Sequence, residues 1–163
     1  MAQAGTPELE TPNLDRLAAR GKRFGALYCA SPVCSPARAS ILTGRIPSSH
    51  GVHDWLAAGN STLETAYHQL LIDYLDGFET YPEILARAGY RCGLSGKWHL
   101  GMTEQPHRGF EFWRAFPTGG GSYRNPKIVD GTAMTDRPGY LTEIIADNAL
   151  DFLREQDGPR PWY

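Results

Sequence analysis

The amino-acid sequence predicts an α/β fold, and three observations carry that expectation. Thr80 to His99 reads as a capped helix, a strand and a glycine-bearing loop in direct succession, the order from which α/β proteins are assembled. Tyr140 to Glu155 is the longest helical signal, with Ile144, Ile145, Ala149, Phe152 and Leu153 on one apolar face. Pro161-Trp162-Tyr163 then opens a further extended segment at the end of the sequence. A compact domain seldom stops as a strand begins, because a lone strand leaves backbone groups unpaired. The sequence is therefore expected to be a truncated part of a larger domain.

The elements follow in order. Thr11-Pro12 with Leu14, Leu17 and Ala18 predicts a helix with proline in its first turn, closed by Gly21. Arg23 to Cys29 alternates weakly and predicts a short strand that Ser31-Pro32 breaks. A second helix is expected just after Cys34: Ser35 and Pro36 suit its start, Ala37 to Leu42 propagate it, and Gly44 stops it. Residues 45–60 read as loop. Residues 64–76 are ambiguous, with Leu70, Leu71, Tyr74 and Leu75 at helical spacing. Thr80-Tyr81-Pro82-Glu83 is a capping-box sequence, and Gly89 suits the far end of the helix it starts. Tyr90 to Leu94 reads as a strand leading into Ser95-Gly96-Lys97-Trp98-His99. Gly119-Gly120-Gly121-Ser122 reads as a flexible surface loop.

Composition narrows the class. The 163 residues suit one domain or part of one, and 41% hydrophobic with 21% charged residues is a globular balance. The net charge is −2 and the basic residues form no runs, which argues against nucleic-acid binding. No apolar stretch is long enough for a membrane span. The N-terminus shows no basic region followed by an apolar run, so no signal peptide is read in it. Cys29, Cys34 and Cys92 are too few and too odd in number for a disulfide framework, and their spacing is not that of a zinc site.

The chemistry concentrates between Cys34 and Arg45. A cysteine entering a helix N-terminus sits at the positive end of the helix dipole, worth about 0.3–1 kcal/mol to an anion at an exposed site. Unpaired backbone N–H groups there also hold oxyanions. Arg38 lies about one turn along and adds a fixed positive charge. The segment thus suits either a thiolate or a bound phosphate or sulfate. Cysteine can equally serve as a small buried apolar residue, and Cys-x-Pro-x-Arg alone arises by chance in roughly 1% of chains of this composition.

Its company is more specific. Cys34-Ser35-Pro36-Ala37-Arg38, followed by a helix and Thr43-Gly44-Arg45, resembles the first signature of the type I, formylglycine-dependent sulfatases. Gly96-Lys97-Trp98-His99-Leu100-Gly101 resembles their second signature. Thr11-Pro12-Asn13-Leu14-Asp15-Arg16-Leu17-Ala18 is similar to the segment that precedes the first. The resemblance covers most of residues 6–116 and is strongest over 11–55 and 80–101.

The resemblance implies an alkaline phosphatase-like sandwich with a mostly parallel central sheet, here incomplete, so that 1–163 is part of a sulfatase catalytic domain. It implies that a separate formylglycine-generating enzyme, reading Pro36 and Arg38, oxidises Cys34 to an aldehyde. The hydrated aldehyde attacks sulfur through one hydroxyl and displaces the alcohol. Its second hydroxyl then loses a proton, sulfate leaves and the aldehyde re-forms. By the same resemblance Cys34, Arg38 and His99 are catalytic, Arg38 holding the diol and His99 hydrogen-bonding it and assisting its deprotonation. Lys97 contacts the sulfate oxygens. A divalent cation, usually Ca2+, is implied, with the formylglycine from Cys34 as one ligand among oxygen donors. In the family pattern an Asp-Asp pair lies before the Thr11 segment, and an Asp-Asn ligand pair, a second lysine and a second histidine lie in the part that would follow Tyr163; these ligands are not expected within residues 1–163. The fragment alone is therefore expected to be inactive.

The implied partners are a sulfated small molecule or sulfated glycan. Periplasmic or secreted localisation fits such enzymes, although the sequence itself assigns no compartment. The same signature would also serve a formylglycine-dependent phosphonate monoester or phosphodiester hydrolase, and a truncated, inactive chain acting as a binding module is the non-enzymatic alternative. A cysteine phosphatase is disfavoured, because its loop places five residues between Cys and Arg where this sequence has three. His50 and His53 form an H-x-x-H pair without nearby carboxylates and are read as structural or as part of a substrate rim, with Asp54 and Trp55 beside them. Cys29 and Cys92 read as core thiols, and Asn60-Ser61-Thr62 fits a glycosylation sequon.

Overall fold

The computed structural model describes residues 5, 6, 8–56 and 72–163. The Asn60-Ser61-Thr62 sequon and residues 64–71 of the ambiguous stretch lie outside the described residues.

Helix α1 spans Pro12–Arg20 and stops at Gly21, with proline in its first turn. Helix α2 spans Cys34–Thr43 and starts one residue earlier than expected, so Cys34 is its first residue. Gly44 closes it in the left-handed region at φ 68, where a glycine carries no Cβ penalty. The single-turn helix α3, Pro47–His50, occupies part of what reads as loop. Helix α4, Tyr81–Arg87, carries the capping box: the Glu83 carboxylate accepts both the Thr80 backbone N–H and the Thr80 hydroxyl at 2.9 Å. Strand β1, Cys92–Lys97, follows it directly.

Strands β2 (Phe110–Phe116), β3 (Lys127–Asp130) and β4 (Ala133–Asp136) complete a four-stranded sheet in the order β1-β2-β3-β4. Helix α5, Leu141–Arg154, packs across β1 and β2. The sheet is mixed. Strands β1 and β2 run parallel, and Trp162 bridges Arg91 in the same sense, as a parallel sheet requires. The β2–β3 and β3–β4 pairs are antiparallel, which corrects the expectation of a mostly parallel sheet for this part of the chain. The reason is local. Only Gly131 and Thr132 separate β3 from β4, and a two-residue connection can join only antiparallel neighbours.

Alternation along β2 sorts the two faces. Trp113 and Ala115 join Val129, Trp98, Leu100, Leu75, Ala39 and Val52 in one buried cluster beneath α2. Phe116 joins Ile128, Leu141 and Ile144 on the opposite face under α5. Phe112 stacks on Phe152 there, and Arg114 reaches Asp151 at 2.7 Å. Helices thus cover both faces of the sheet, which is why its strands are apolar on both sides.

Two expectations fail. Residues 23–29 form no strand. Phe24, Leu27 and Tyr28 are 69%, 83% and 89% exposed, and none of these residues joins a ladder among the described residues, so weak alternation finds nothing to pack on. Cys29 lies in this exposed segment and is not a core thiol, whereas Cys92 is buried as expected. Residues 72–76 form a turn region rather than helix, with Leu75 buried in the core.

Candidate active site

Cys34 heads α2 and is half-buried. Val33 precedes it in extended conformation and no side chain caps the helix, so the N–H groups of the first turn have no side-chain partner. These groups, with the dipole behind them, favour negative charge at Cys34.

Arg38 lies one turn further along. Its Nη1 donates to the Lys97 carbonyl oxygen at 2.6 Å, joining α2 to the end of β1. Its Nε is buried and has no hydrogen-bond partner. Burial opposes the charge on the guanidinium and lowers its pKa, while negative charge on Cys34 acts the other way. The two residues therefore interact electrostatically across the first turn of α2.

Lys97 closes β1, and its ammonium donates to the Gly119 carbonyl oxygen. His99 follows in the left-handed region at φ 62, sparsely populated for a residue with a side chain. That departure from strand geometry turns its ring inward, where it is fully buried. Its Nδ1 is 3.2 Å from the Ser35 hydroxyl and its Nε2 is 3.0 Å from the Leu56 carbonyl oxygen. Burial is the main cause that lowers the pKa of His99, and the positive charges of Lys97 and Arg38 act in the same direction.

The four residues singled out from sequence thus fall into two linked pairs. Arg38 and Lys97 meet through a backbone hydrogen bond, and His99 meets the Cys34 helix through Ser35. Gly119 connects the pairs. It accepts the Lys97 ammonium, and a Cβ at Gly119 would lie 2.3 Å from His99 Nε2. The glycine stretch that reads as a free surface loop is therefore packed against the site at this residue. Ser35, Leu56 and Gly119 carry no sequence signal as site residues, because their roles come from backbone atoms, a hydroxyl and an absent side chain.

His50 and His53 do not form a metal pair. His50 is buried, accepts the Val52 N–H at 3.1 Å and pairs with the Ser40 hydroxyl at 3.0 Å, while His53 is exposed. Trp55 stands edge-on to His99 with ring centroids 6.0 Å apart, and Asp54 is exposed. A groove of about 520 Å³ runs along β1 past Arg38 and Lys97 between Ile41, Leu94 and Ile145.

Comparison with known proteins identifies the family. Residues 1–163 match the family described as Sulfatase. The chain is 36% identical to N-acetylgalactosamine-6-sulfatase of Homo sapiens over 98% of its own length and 34% of that protein. It is 32% identical to N-acetylglucosamine-6-O-sulfatase of Bacteroides thetaiotaomicron over 94% of its length and 25% of that protein. A solved structure, described as in complex with its substrate D-glucosamine-2-N,6-O-disulfate, superposes with a TM-score of 0.80 at 30% identity, covering 99% of this chain and 30% of that one. The chain spans about a third of the length of the curated relatives it matches first.

Proposed function

The chain belongs to the sulfatase family, with its alkaline phosphatase-like fold, and on that premise we propose that it carries the nucleophile-bearing part of an enzyme that hydrolyses 6-O-sulfate esters of amino sugars. The observation that supports this most is the junction of the two signatures: Arg38, one turn from Cys34, is held on the carbonyl of Lys97. The relatives named for 6-sulfated amino sugars, and the sulfated glucosamine complex, support the substrate class.

Converted to formylglycine and hydrated, Cys34 would supply a diol that takes the sulfuryl group through one hydroxyl and releases sulfate as the other loses its proton. The residues of this chain prepare its surroundings. Cys34 stands at the N-terminus of α2, where the helix dipole favours negative charge. Arg38 brings a guanidinium whose orientation is set by Lys97, and Lys97 brings an ammonium beside Gly119. Both charges favour the sulfate and the negative charge that grows on it. His99 adds a neutral imidazole bonded to the residue after Cys34. Among the described residues, no group of three His, Cys, Asp or Glu side chains could hold a metal ion. The described residues therefore do not form a cation cage by themselves, and what they would bring to the sulfate is the positive charge of Arg38 and Lys97 and the N-terminus of α2.

The test has two parts. The protein is produced with a formylglycine-generating enzyme, and the peptide carrying Cys34 is examined by mass spectrometry. Conversion to the aldehyde is expected, and a peptide found wholly as unmodified cysteine overturns the proposal. Turnover of 6-O-sulfated N-acetylglucosamine and N-acetylgalactosamine by the full-length enzyme that contains this chain is then compared with that of paired aryl sulfate and aryl phosphonate substrates. Preference for the phosphonate would assign the site to phosphonate or phosphodiester hydrolysis instead.

A further inference from the structure

We propose that Ser35 is a positioning residue: its hydroxyl donates to Nδ1 and locks in place a neutral His99 whose proton sits on Nε2, on the carbonyl of Leu56. A closed ring of hydrogen bonds supports this. His99 Nε2 lies 3.0 Å from the carbonyl oxygen of Leu56. A carbonyl only accepts, so Nε2 must carry a hydrogen. Nδ1 of a neutral ring then offers only a lone pair. The Ser35 hydroxyl, 3.2 Å away, must donate to it. Ser35 Oγ is left as an acceptor, and the Leu56 N–H faces it at 3.4 Å. The direction of each bond follows from the chemistry of the Leu56 carbonyl.

Burial makes the ring demanding. Ser35 and His99 both have 0% exposure, so neither can exchange its partner for water. A second proton on the imidazole would turn the Ser35 hydroxyl around and place a cation beside Lys97 and Arg38, which burial and those two charges oppose. The backbone delivers both ends: Ser35 stands in the first turn of α2, and the left-handed His99 brings its ring to it.

This inference rests on the reading that His99 acts at the group derived from Cys34, and it sharpens it. On that reading the imidazole beside the site is neutral, with its Nε2–H held by the Leu56 carbonyl and its Nδ1 held by the residue next to Cys34 in the chain. Removing the hydroxyl leaves the buried Nδ1 without a donor, so the ring is held only through Nε2 and is free to flip, after which either nitrogen can carry the proton. Arg38 and Lys97, which would hold the sulfate, are untouched. In the full-length enzyme that contains this chain, Ser35→Ala is therefore expected to lower kcat about tenfold or more with KM little changed, and Ser35→Thr, which keeps a hydroxyl, to restore most of it.

The deciding experiment is long-range proton–nitrogen NMR on protein labelled with 15N-histidine, which separates the two neutral tautomers. His99 is expected as the Nε2–H form in the wild type and in Ser35→Thr, and as a mixture in Ser35→Ala. A wild-type His99 protonated on Nδ1 overturns the proposal, as does a Ser35→Ala variant unchanged in both tautomer and kcat. If Ser35→Ala does not fold, the wild-type and Ser35→Thr spectra decide by themselves. The NMR reading needs no turnover, so a wild type with the Nε2–H form and no sulfate-ester hydrolysis by the full-length enzyme would remove the functional reading and leave the hydrogen-bond assignment standing.

Discussion

The Arg38 guanidinium donates to the backbone carbonyl of Lys97 at 2.6 Å, across 59 positions of sequence. This one bond sets the helix that begins with Cys34 against the strand that delivers Lys97 and His99. Arg38 is thus a structural tie and a source of site charge at once.

Arg38→Lys keeps the charge and loses the planar donor array. A hydrogen bond from a charged donor is worth about 1.5–3 kcal/mol. The variant is expected to unfold about 1–3 kcal/mol more easily in urea and, placed in the full-length enzyme proposed above, to lose sulfate-ester turnover by at least about tenfold. Wild-type stability with lost turnover would assign Arg38 a role at the site alone.

Gly119 and Gly120 make a matched pair. A Cβ at Gly119 would collide with the His99 ring, whereas a Cβ at Gly120 meets nothing within 4 Å. Gly119→Ala is expected to cost about 1–3 kcal/mol, by overpacking, and to reduce kcat. Gly120→Ala should stay within about 0.5 kcal/mol. Thermal melts and kinetics of the two variants check this, and equal effects would refute the contact.

Acid should destabilise the fold through its buried histidines. The pKa of His50 is lowered from 6.5 by burial first and then by His53, and burial is also the main cause for His99 and His107. In each case the unfolded chain takes up a proton that the folded chain resists. The stability is fully present above the ordinary imidazole value near 6.5 and is lost as pH falls from there through the lowered folded values. Urea midpoints measured between pH 8 and pH 5 should therefore fall, and His50→Gln should flatten that slope.

Thr80 is fully buried and shares the Glu83 carboxylate with its own N–H. Thr80→Ala removes one partner and is expected to cost about 1–2 kcal/mol. Burial alone would raise the Glu83 pKa, but the bonds from Thr80 and Arg108 outweigh it and lower the net value. Glu83→Gln should therefore destabilise most at neutral pH and least in acid, a difference that urea titrations at two pH values would reveal.

Much of this protein was legible along the chain, where the responsible interactions are local. Pro12 and Gly21 bound α1, Gly44 ends α2, and the Thr80–Glu83 box starts α4, each acting within a few residues of itself. The apolar face of Tyr140 to Glu155 likewise marked α5. Residues 23–29 misled for the opposite reason: a strand exists only if another strand pairs with it, and alternation in one segment says nothing about its partner.

For the site the division is equally physical. The sequence by itself determined which side chains stand as candidates for the chemistry, namely Cys34, Arg38, Lys97 and His99, because these are residue types in a spaced pattern. Tertiary structure decided how they are held. It set the carbonyl of Lys97 on Arg38, the hydroxyl of Ser35 and the carbonyl of Leu56 on His99, and Gly119 against both Lys97 and His99. Backbone atoms are the same in every residue and a glycine has no side chain, so their part in the site becomes visible only when the folded chain brings them within hydrogen-bond reach.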